Sequence, residues 1–133
     1  MIKKIAILCF ICLSLGLSAQ QNKQNGPIIF TKLVHDYGTI DVGSPGHCEF
    51  KFTNGMKTPL VISNVRPSCG CTVAKWSKEP ILPGKTGSIK INFSTKIPGT
   101  FFKTISVISN AKNATVTLRI KGNVRINKIT GNI

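Results

Sequence analysis

The chain has 133 residues, of which 41% are hydrophobic, and its 18 basic and 4 acidic side chains give a formal net charge of +14 at pH 7. This length fits one domain that can bury a core of its own. The chain has only four carboxylates and two histidines. These are few candidates for acid–base or nucleophilic catalysis, so we expect no catalytic residue.

Residues 1–19 have the three parts of a cleavable signal peptide. Lys3 and Lys4 give a positive start, residues 5–17 form an apolar run, and Ala19 ends a stretch of small residues ahead of a polar segment. The apolar run is about 13 residues long, too short to cross roughly 30 Å of hydrocarbon comfortably as a helix. Cys9 and Cys12 lie inside it without a lipoprotein pattern. We therefore expect an exported chain, periplasmic or associated with the cell envelope, with secretion and a retained signal anchor as alternatives.

The excess positive charge is spread along the chain rather than gathered in one block. Lysines recur at alternate positions of strand-like runs, as at Lys51 and Lys90, which is typical of a solvated sheet face. Nucleic-acid motifs are absent from the sequence, and we expect no nucleic-acid partner. Weak association with an anionic membrane surface is the alternative interpretation of the charge.

After a polar tether at 20–26, the dominant pattern is period-two alternation, which is typical of half-buried strands. Glycine, proline and asparagine turn signals separate the runs, including one at Tyr37-Gly38. In one run Phe101, Ile105 and Val107 share a side that Lys103 interrupts. The predicted strands are residues 28–34, 48–52, 60–65, 72–76, 89–93, 101–108 and 116–120.

About seven short strands in about 100 residues predict an all-β fold, an immunoglobulin-like antiparallel β-sandwich over residues 27–126, followed by a tail at 127–133. A small barrel is the alternative. Trp76 follows Cys48, Cys69 and Cys71 instead of lying between two of them, so the antibody-type core of two cysteines and a tryptophan is not expected.

The segment Ser68-Cys69-Gly70-Cys71-Thr72 is the most specific motif of the chain. In an extended strand the two cysteine Cα atoms would lie about 6.5–7 Å apart, at or beyond the usual limit for a disulfide. A bridge therefore requires a turn at Gly70, a residue that can adopt positive φ. A disulfide that closes so small a loop would stabilise the fold little and be easily reduced.

Four interpretations of Cys69 and Cys71 stay open from sequence alone. The thiols could be structural; they could exchange disulfides, with Arg66 and Lys75 favouring a thiolate; they could bind Cu(I) or Zn; or one could be a nucleophile paired with a histidine. Further metal ligands would have to come from Cys48, His35 and His47, which we interpret as a core residue and two surface imidazoles. We expect no metal and no cofactor.

Trp76 has two interpretations. On a strand packed over the Cys-Gly-Cys turn it would be a core residue. Exposed at the surface, it would anchor a partner. Arg66 and Trp76 are thus the predicted packing or binding neighbours of the candidate thiol site Cys69, Gly70 and Cys71.

Six stretches of the chain resemble the DUF1573 family, exported bacterial domains of unknown function. They are HDYGTIDVG (35–43), EFKFTN (49–54), PLVISNVRPSCGCTVAKWSKEPILPGK (59–85), GSIKINFSTK (87–96), GTFFKTISVISNA (99–111) and LRIKGNV (118–124). Tyr37 stands where that pattern has phenylalanine, and Asn54-Gly55-Met56 replaces an Asn-Thr-Gly turn. The resemblance implies an immunoglobulin-like sandwich and no established reaction. Similarity to sandwich modules of ciliary and centrosomal scaffold proteins implies an interaction role.

The sequence therefore predicts an exported cell-envelope module with a non-catalytic structural or protein-interaction role. Its partner would be a protein or another envelope component, which the sequence does not identify, and the pattern gives no oligomeric state. The alternative is a thiol-dependent activity at Cys69 and Cys71, either disulfide exchange or capture of Cu(I) or Zn.

Overall fold

A computed structural model describes residues 26–127, and within them it contains eight strands and no helix. No helix in that part of the chain could cross a membrane. The predicted signal peptide, the tether except Gly26, and residues 128–133 of the tail lie outside the described residues. The strands are β1 (Ile28–Phe30), β2 (Val34–Asp41), β3 (His47–Asn54), β4 (Ile62–Pro67), β5 (Thr72–Trp76), β6 (Thr86–Phe93), β7 (Gly99–Ser109) and β8 (Thr115–Arg125).

The strands form two four-stranded sheets, as a sandwich requires. Sheet I has the order β1-β3-β6-β5 and is antiparallel throughout. Sheet II has the order β2-β8-β7-β4, and its edge strand β2 runs parallel to β8. A parallel neighbour needs a long connection, and here five strands, β3 to β7, separate β2 from β8 in sequence. The immunoglobulin-like sandwich is confirmed, with this one parallel pair in an otherwise antiparallel fold.

The structure has eight strands where about seven were predicted, because the predicted strand at 28–34 divides between the two sheets. Phe30 ends β1 in sheet I, and Val34 begins β2 in sheet II. Tyr37-Gly38, interpreted as a turn, lies inside β2, where the pairing with β8 shifts between Asp36 and Thr39. Gly38 has φ +66°. A glycine at a β-bulge takes this conformation without steric cost, so the turn-like signal marks a bulge.

The core lies between the two sheets and is built by the inward positions of the alternating runs. Eight side chains, each at most 2% exposed, form its centre: Phe50, Phe52, Ile89 and Ile91 from sheet I, and Ile105, Val107, Leu118 and Ile120 from sheet II. Burying one such side chain is worth about 1.5–3 kcal/mol. Apolar burial from both sheets therefore holds the sandwich closed.

Both departures from the family pattern are accommodated by hydrogen bonds. The Tyr37 hydroxyl donates to the carbonyl oxygen of Gly46 at 2.7 Å. The buried Asn54 amide donates to the carbonyl oxygens of Thr58 and Ile81 and accepts from the Met56 amide. These buried polar groups therefore have partners, as a stable interior requires.

Three loops meet at one end of the sandwich, which we call the bridge end. They are residues 42–46 between β2 and β3, residues 68–71 between β4 and β5, and residues 94–98 between β6 and β7. The strand directions place all three at the same end, because β3 and β5 both run antiparallel to β6. The candidate thiol motif belongs to this end.

Candidate functional site

Cys69 and Cys71 form a disulfide, with their Cα atoms 5.3 Å apart. The Thr72 amide donates to the carbonyl oxygen of Cys69 at 3.4 Å, so the chain turns at Gly70 as the geometry of the motif requires. The φ angle of Gly70 is not positive, and a Cβ there would meet no atom within 4 Å. The turn therefore does not depend on the special freedom of glycine.

Backbone hydrogen bonds hold the bridged turn against both sheets. Ser68 exchanges two bonds with Thr104 of β7, donating from its amide and accepting at its hydroxyl. The Ser94 amide, just after β6, donates to the carbonyl oxygen of Cys71 at 2.8 Å. The bridged turn therefore connects sheet II to sheet I in a fixed position, since it follows edge strand β4 and precedes edge strand β5.

Two clefts open beside the bridge, and Cys71 lines both. The Val73 cleft, about 330 Å³, runs over loop 42–46, Gly70, Val73 and Lys96. The Ile97 cleft, about 170 Å³, is lined by residues 97–101 and Lys103. Cys71, Phe93 and Ser94 form the wall that the two clefts share. Cys69 lines neither of these two clefts, so the two bridge cysteines have different surroundings.

Thr72 places a hydroxyl between the two sulfurs. Its Oγ1 lies 3.7 Å from Cys69 Sγ and 3.8 Å from Cys71 Sγ, and the residue is 5% exposed. A disulfide sulfur carries no hydrogen, so the hydroxyl is the donor in both contacts. The first residue of β5 therefore offers a hydrogen bond to whichever sulfur holds more negative charge.

Lys103 lies on the inward-facing side of β7, in series with Phe101 and Ile105. It is only half-buried, because the series reaches the open bridge end, where Lys103 borders the Ile97 cleft together with Cys71. A cation beside a cysteine favours its thiolate form. Lys103 thus brings a positive charge to the cleft that opens onto the bridge.

The structure places the predicted neighbours of the motif elsewhere. Arg66 is exposed on β4 and pairs with Ser106, and Lys75 is exposed on the outer side of β5. Trp76 packs against the core, but it ends β5 whereas Thr72 begins it, about 13 Å away. Trp76 therefore does not cover the Cys-Gly-Cys turn. The Lys78 Nζ lies over the Trp76 ring, 3.8 Å from its centroid.

Cys48 is the free thiol among residues 26–127, and it lies in a separate small cluster. Cys48 lies on β3 and pairs with Ile91 of β6, so it is two strands away from β5. Burial raises the pKa of the Cys48 thiol, and burial together with Cys48 raises the pKa of Tyr37. Burial also lowers the pKa of His35, whose ring packs edge-on against Tyr37. Cys48 is therefore a protonated, half-buried residue away from the bridge.

The described residues contain no group of three or more histidine, cysteine, aspartate or glutamate side chains placed to hold a metal. His47 is exposed and adjacent in β3 to Cys48, so the two side chains face opposite ways. In the bonded state Cys69 and Cys71 also have no thiolate to offer. Metal capture would therefore need a reduced bridge and outside ligands.

Two of the exposed apolar side chains flank the bridge. Ile97 is 78% exposed and Val73 is 54% exposed, one beside each cleft. The charges that line the clefts, Lys96 and Lys103, are positive. Asp41, the acidic residue that ends β2, is engaged by the Arg125 Nε at 2.6 Å. The bridge end therefore combines apolar contact area with uncompensated positive charge.

Sequence reasoning singled out Cys69 and Cys71 but left their pairing open, and it missed Thr72 and Ile97 as part of their surroundings. The signal for Lys103 was present, because it breaks an apolar series in a strand. That Lys103 lies at the bridge end could be learned only from the register between β7 and β8.

Solved structures with a similar fold share little sequence with this chain. A protein of unknown function from Porphyromonas gingivalis W83 is 17% identical with a TM-score of 0.66, over 75% of this chain and 48% of that one. The VesB protease of Vibrio cholerae is 15% identical with a TM-score of 0.62, over 76% and 33%. The ASH/PapD-like domain 7 of human CEP192 is 10% identical with a TM-score of 0.62, over 77% and 88%.

These likenesses define the fold of the domain as an immunoglobulin-like β-sandwich. The chain spans about half of the Porphyromonas protein and about a third of VesB. The model of the family described as protein of unknown function (DUF1573) matches residues 28–124, and the chain belongs to that family. No curated protein matches it.

Proposed function

We propose that the protein is an exported, non-catalytic module that binds a protein partner through its bridge end. The observation that carries this proposal is the clustering of exposed Ile97 and Val73 around a hydrogen-bonded, disulfide-fixed turn. Apolar side chains on rigid loops favour partner binding, because little conformational entropy is lost when the loops are already ordered. Membership of a family without a described reaction agrees with a binding role.

The partner is a protein segment that presents apolar and acidic side chains. Apolar groups match Ile97 and Val73, and carboxylates match Lys96 and Lys103 at the cleft walls. Charge complementarity of this kind speeds association and selects among partners. Binding should therefore weaken as salt concentration rises.

Site-specific photocrosslinking in the producing cells tests this proposal. Ile97 at the bridge end and Leu82 at the opposite end, 58% exposed, are replaced singly by benzoylphenylalanine. We expect one adduct of defined mass from position 97, its loss when Val73→Glu is added, and no such adduct from position 82. An adduct from position 82 alone, or none from either position, would overturn the proposal.

Export is the second part of the proposal, and it is supported by the signal-peptide pattern of residues 1–19. Fractionation followed by N-terminal sequencing tests it. We expect a mature chain that begins at Gln20 in the envelope fraction. A chain that keeps Met1 and stays in the cytoplasm would contradict export, whatever the crosslinking result.

Thiol–disulfide exchange is a second candidate function, favoured by the place of Cys71 in the walls of both clefts. A structural bridge has no need of an open cleft beside one of its sulfurs. Incubation of the oxidised protein with a synthetic peptide that carries two cysteines tests this function. Formation of one peptide disulfide for each bridge reduced supports it, and a bridge that survives excess peptide refutes it.

A further inference from the structure

We infer that the two bridge sulfurs have unequal roles: Cys71 is the sulfur that joins covalently to a substrate cysteine, and Thr72 and Lys103 stabilise its thiolate. The inference rests on the second candidate function, disulfide exchange, and is independent of partner binding at the same end. The substrate class is a pair of cysteines in an extended segment of another exported protein. Three observations on the bridge carry it.

The first observation is access. Cys71 lines the Val73 cleft and the Ile97 cleft, whereas Cys69 lines neither. Thiolate attack on a disulfide needs a free line of approach to the sulfur that is attacked. A substrate segment seated against Ile97 and Pro98 would present its thiolate to Cys71 first.

The second observation is charge. Lys103 borders the cleft that opens onto Cys71, on the inward side of β7, whereas Arg66 and Lys75 lie on outer faces. A thiolate that forms at Cys71 therefore shares the wall of the Ile97 cleft with a cation. This neighbouring positive charge helps Cys71 to leave as a thiolate in the last step.

The third observation is the buried hydroxyl of Thr72, within 3.8 Å of both sulfurs. In the oxidised bridge it is shared between two neutral sulfurs. Once the bridge opens, the same hydroxyl can donate to a thiolate, and hydrogen bonds to a charged group are the stronger kind. Thr72 therefore favours the reduced form more than the oxidised one.

The exchange balances without a further reactant. A substrate thiolate attacks Cys71 Sγ, the bond between the two bridge sulfurs breaks, and the electron pair leaves with Cys69 Sγ, which takes up a proton. The second substrate thiolate then attacks the substrate sulfur of the mixed disulfide. Cys71 leaves as a thiolate beside Lys103 and Thr72. One bridge is reduced for each substrate disulfide formed.

Single-cysteine variants test the inequality in a Cys48→Ala background. Cys69→Ser keeps Cys71, and Cys71→Ser keeps Cys69. Both are mixed with glutathione disulfide, and glutathionylation is followed by intact mass. We expect Cys71 to react at least about tenfold faster at pH 7, because it lines both clefts and shares the wall of one of them with Lys103. Equal rates, or faster reaction at Cys69, would overturn the inference.

Neighbour variants of the chain that keeps Cys71 separate stabilisation from access. Lys103→Met should raise the pH midpoint of Cys71 alkylation by about one unit, as a lost neighbouring charge does. Thr72→Val should raise it in the same direction, Thr72→Ser should restore it, and Lys75→Met on the outer face should leave it unchanged. Unchanged midpoints in both the Lys103 and Thr72 variants would refute their roles.

Failure of the inference is distinguishable from failure of the exchange function. If the wild-type protein oxidises the dithiol peptide but Cys69 forms the mixed disulfide, the exchange function stands and the assignment to Cys71 is refuted. A wild-type bridge that the peptide cannot open removes the function itself.

Discussion

Removal of the disulfide should leave the sandwich folded. The size of the loss in the free energy of unfolding shows whether the bridge is a structural staple. Cys69→Ser combined with Cys71→Ser opens a loop of only three residues. The chain-entropy relation then gives a loss of about 1.5 kcal/mol at 25 °C. Truncation of a buried core residue such as Phe50 (0% exposed) to alanine costs about 3–5 kcal/mol. The bridge is therefore a minor contributor to the free energy of unfolding.

Urea unfolding at pH 7 measures this loss in four samples. They are the oxidised wild type, the wild type held reduced, the double serine variant, and Phe50→Ala as the reference for a core defect. The first three should lie within about 2 kcal/mol of one another, with equal dependence on urea. A double variant that loses 3 kcal/mol or more, or that does not fold, would mean that the bridge is a structural staple.

Three further predictions concern the scaffold around the site. Asn54→Ala removes a buried amide, leaves the Thr58 carbonyl oxygen and the Met56 N–H without partners and takes one of two hydrogen bonds from the Ile81 carbonyl oxygen, so it should cost about 3 kcal/mol in urea unfolding. Burial lowers the pKa of His35 below 6.5, so the unfolded chain takes up that proton first. The free energy of unfolding should fall as pH drops below 6.5, and His35→Gln should flatten that part of the profile. Gly46→Ala should abolish folding, because its Cβ would collide with the backbone oxygen of Phe93, whereas Gly70→Ala should leave the melting temperature unchanged because its Cβ meets open space.

The alternation of apolar and polar residues was enough to predict the sandwich. Phe50 and Phe52 in β3, and Ile89 and Ile91 in β6, share one side in sequence and one core in the structure. Local pattern could not predict that Phe30 and Val34 belong to different sheets. Sheet membership depends on long-range pairing, which period-two alternation does not encode.

The site was predicted in part for the same reason. The distance argument at Cys69 and Cys71 needs only local geometry, and the turn it requires is present. The expected cations at Arg66 and Lys75 were chosen by closeness in sequence, but alternation sends both to outer faces. Lys103 reaches the cleft from a strand more than thirty residues away. The position of Lys103 at the cleft follows only from the register of β7 in its sheet.

The measurement that tests the central claim most directly is alkylation of the folded protein followed by intact mass, with graded glutathione as reductant. The account predicts slow labelling of Cys48 alone in the oxidised protein. It also predicts that the bridge opens to two further labels while the fold persists, because a small, accessible disulfide is readily reduced. A bridge that opens only when the sandwich unfolds would contradict the claim that the Cys69–Cys71 disulfide takes part in thiol exchange.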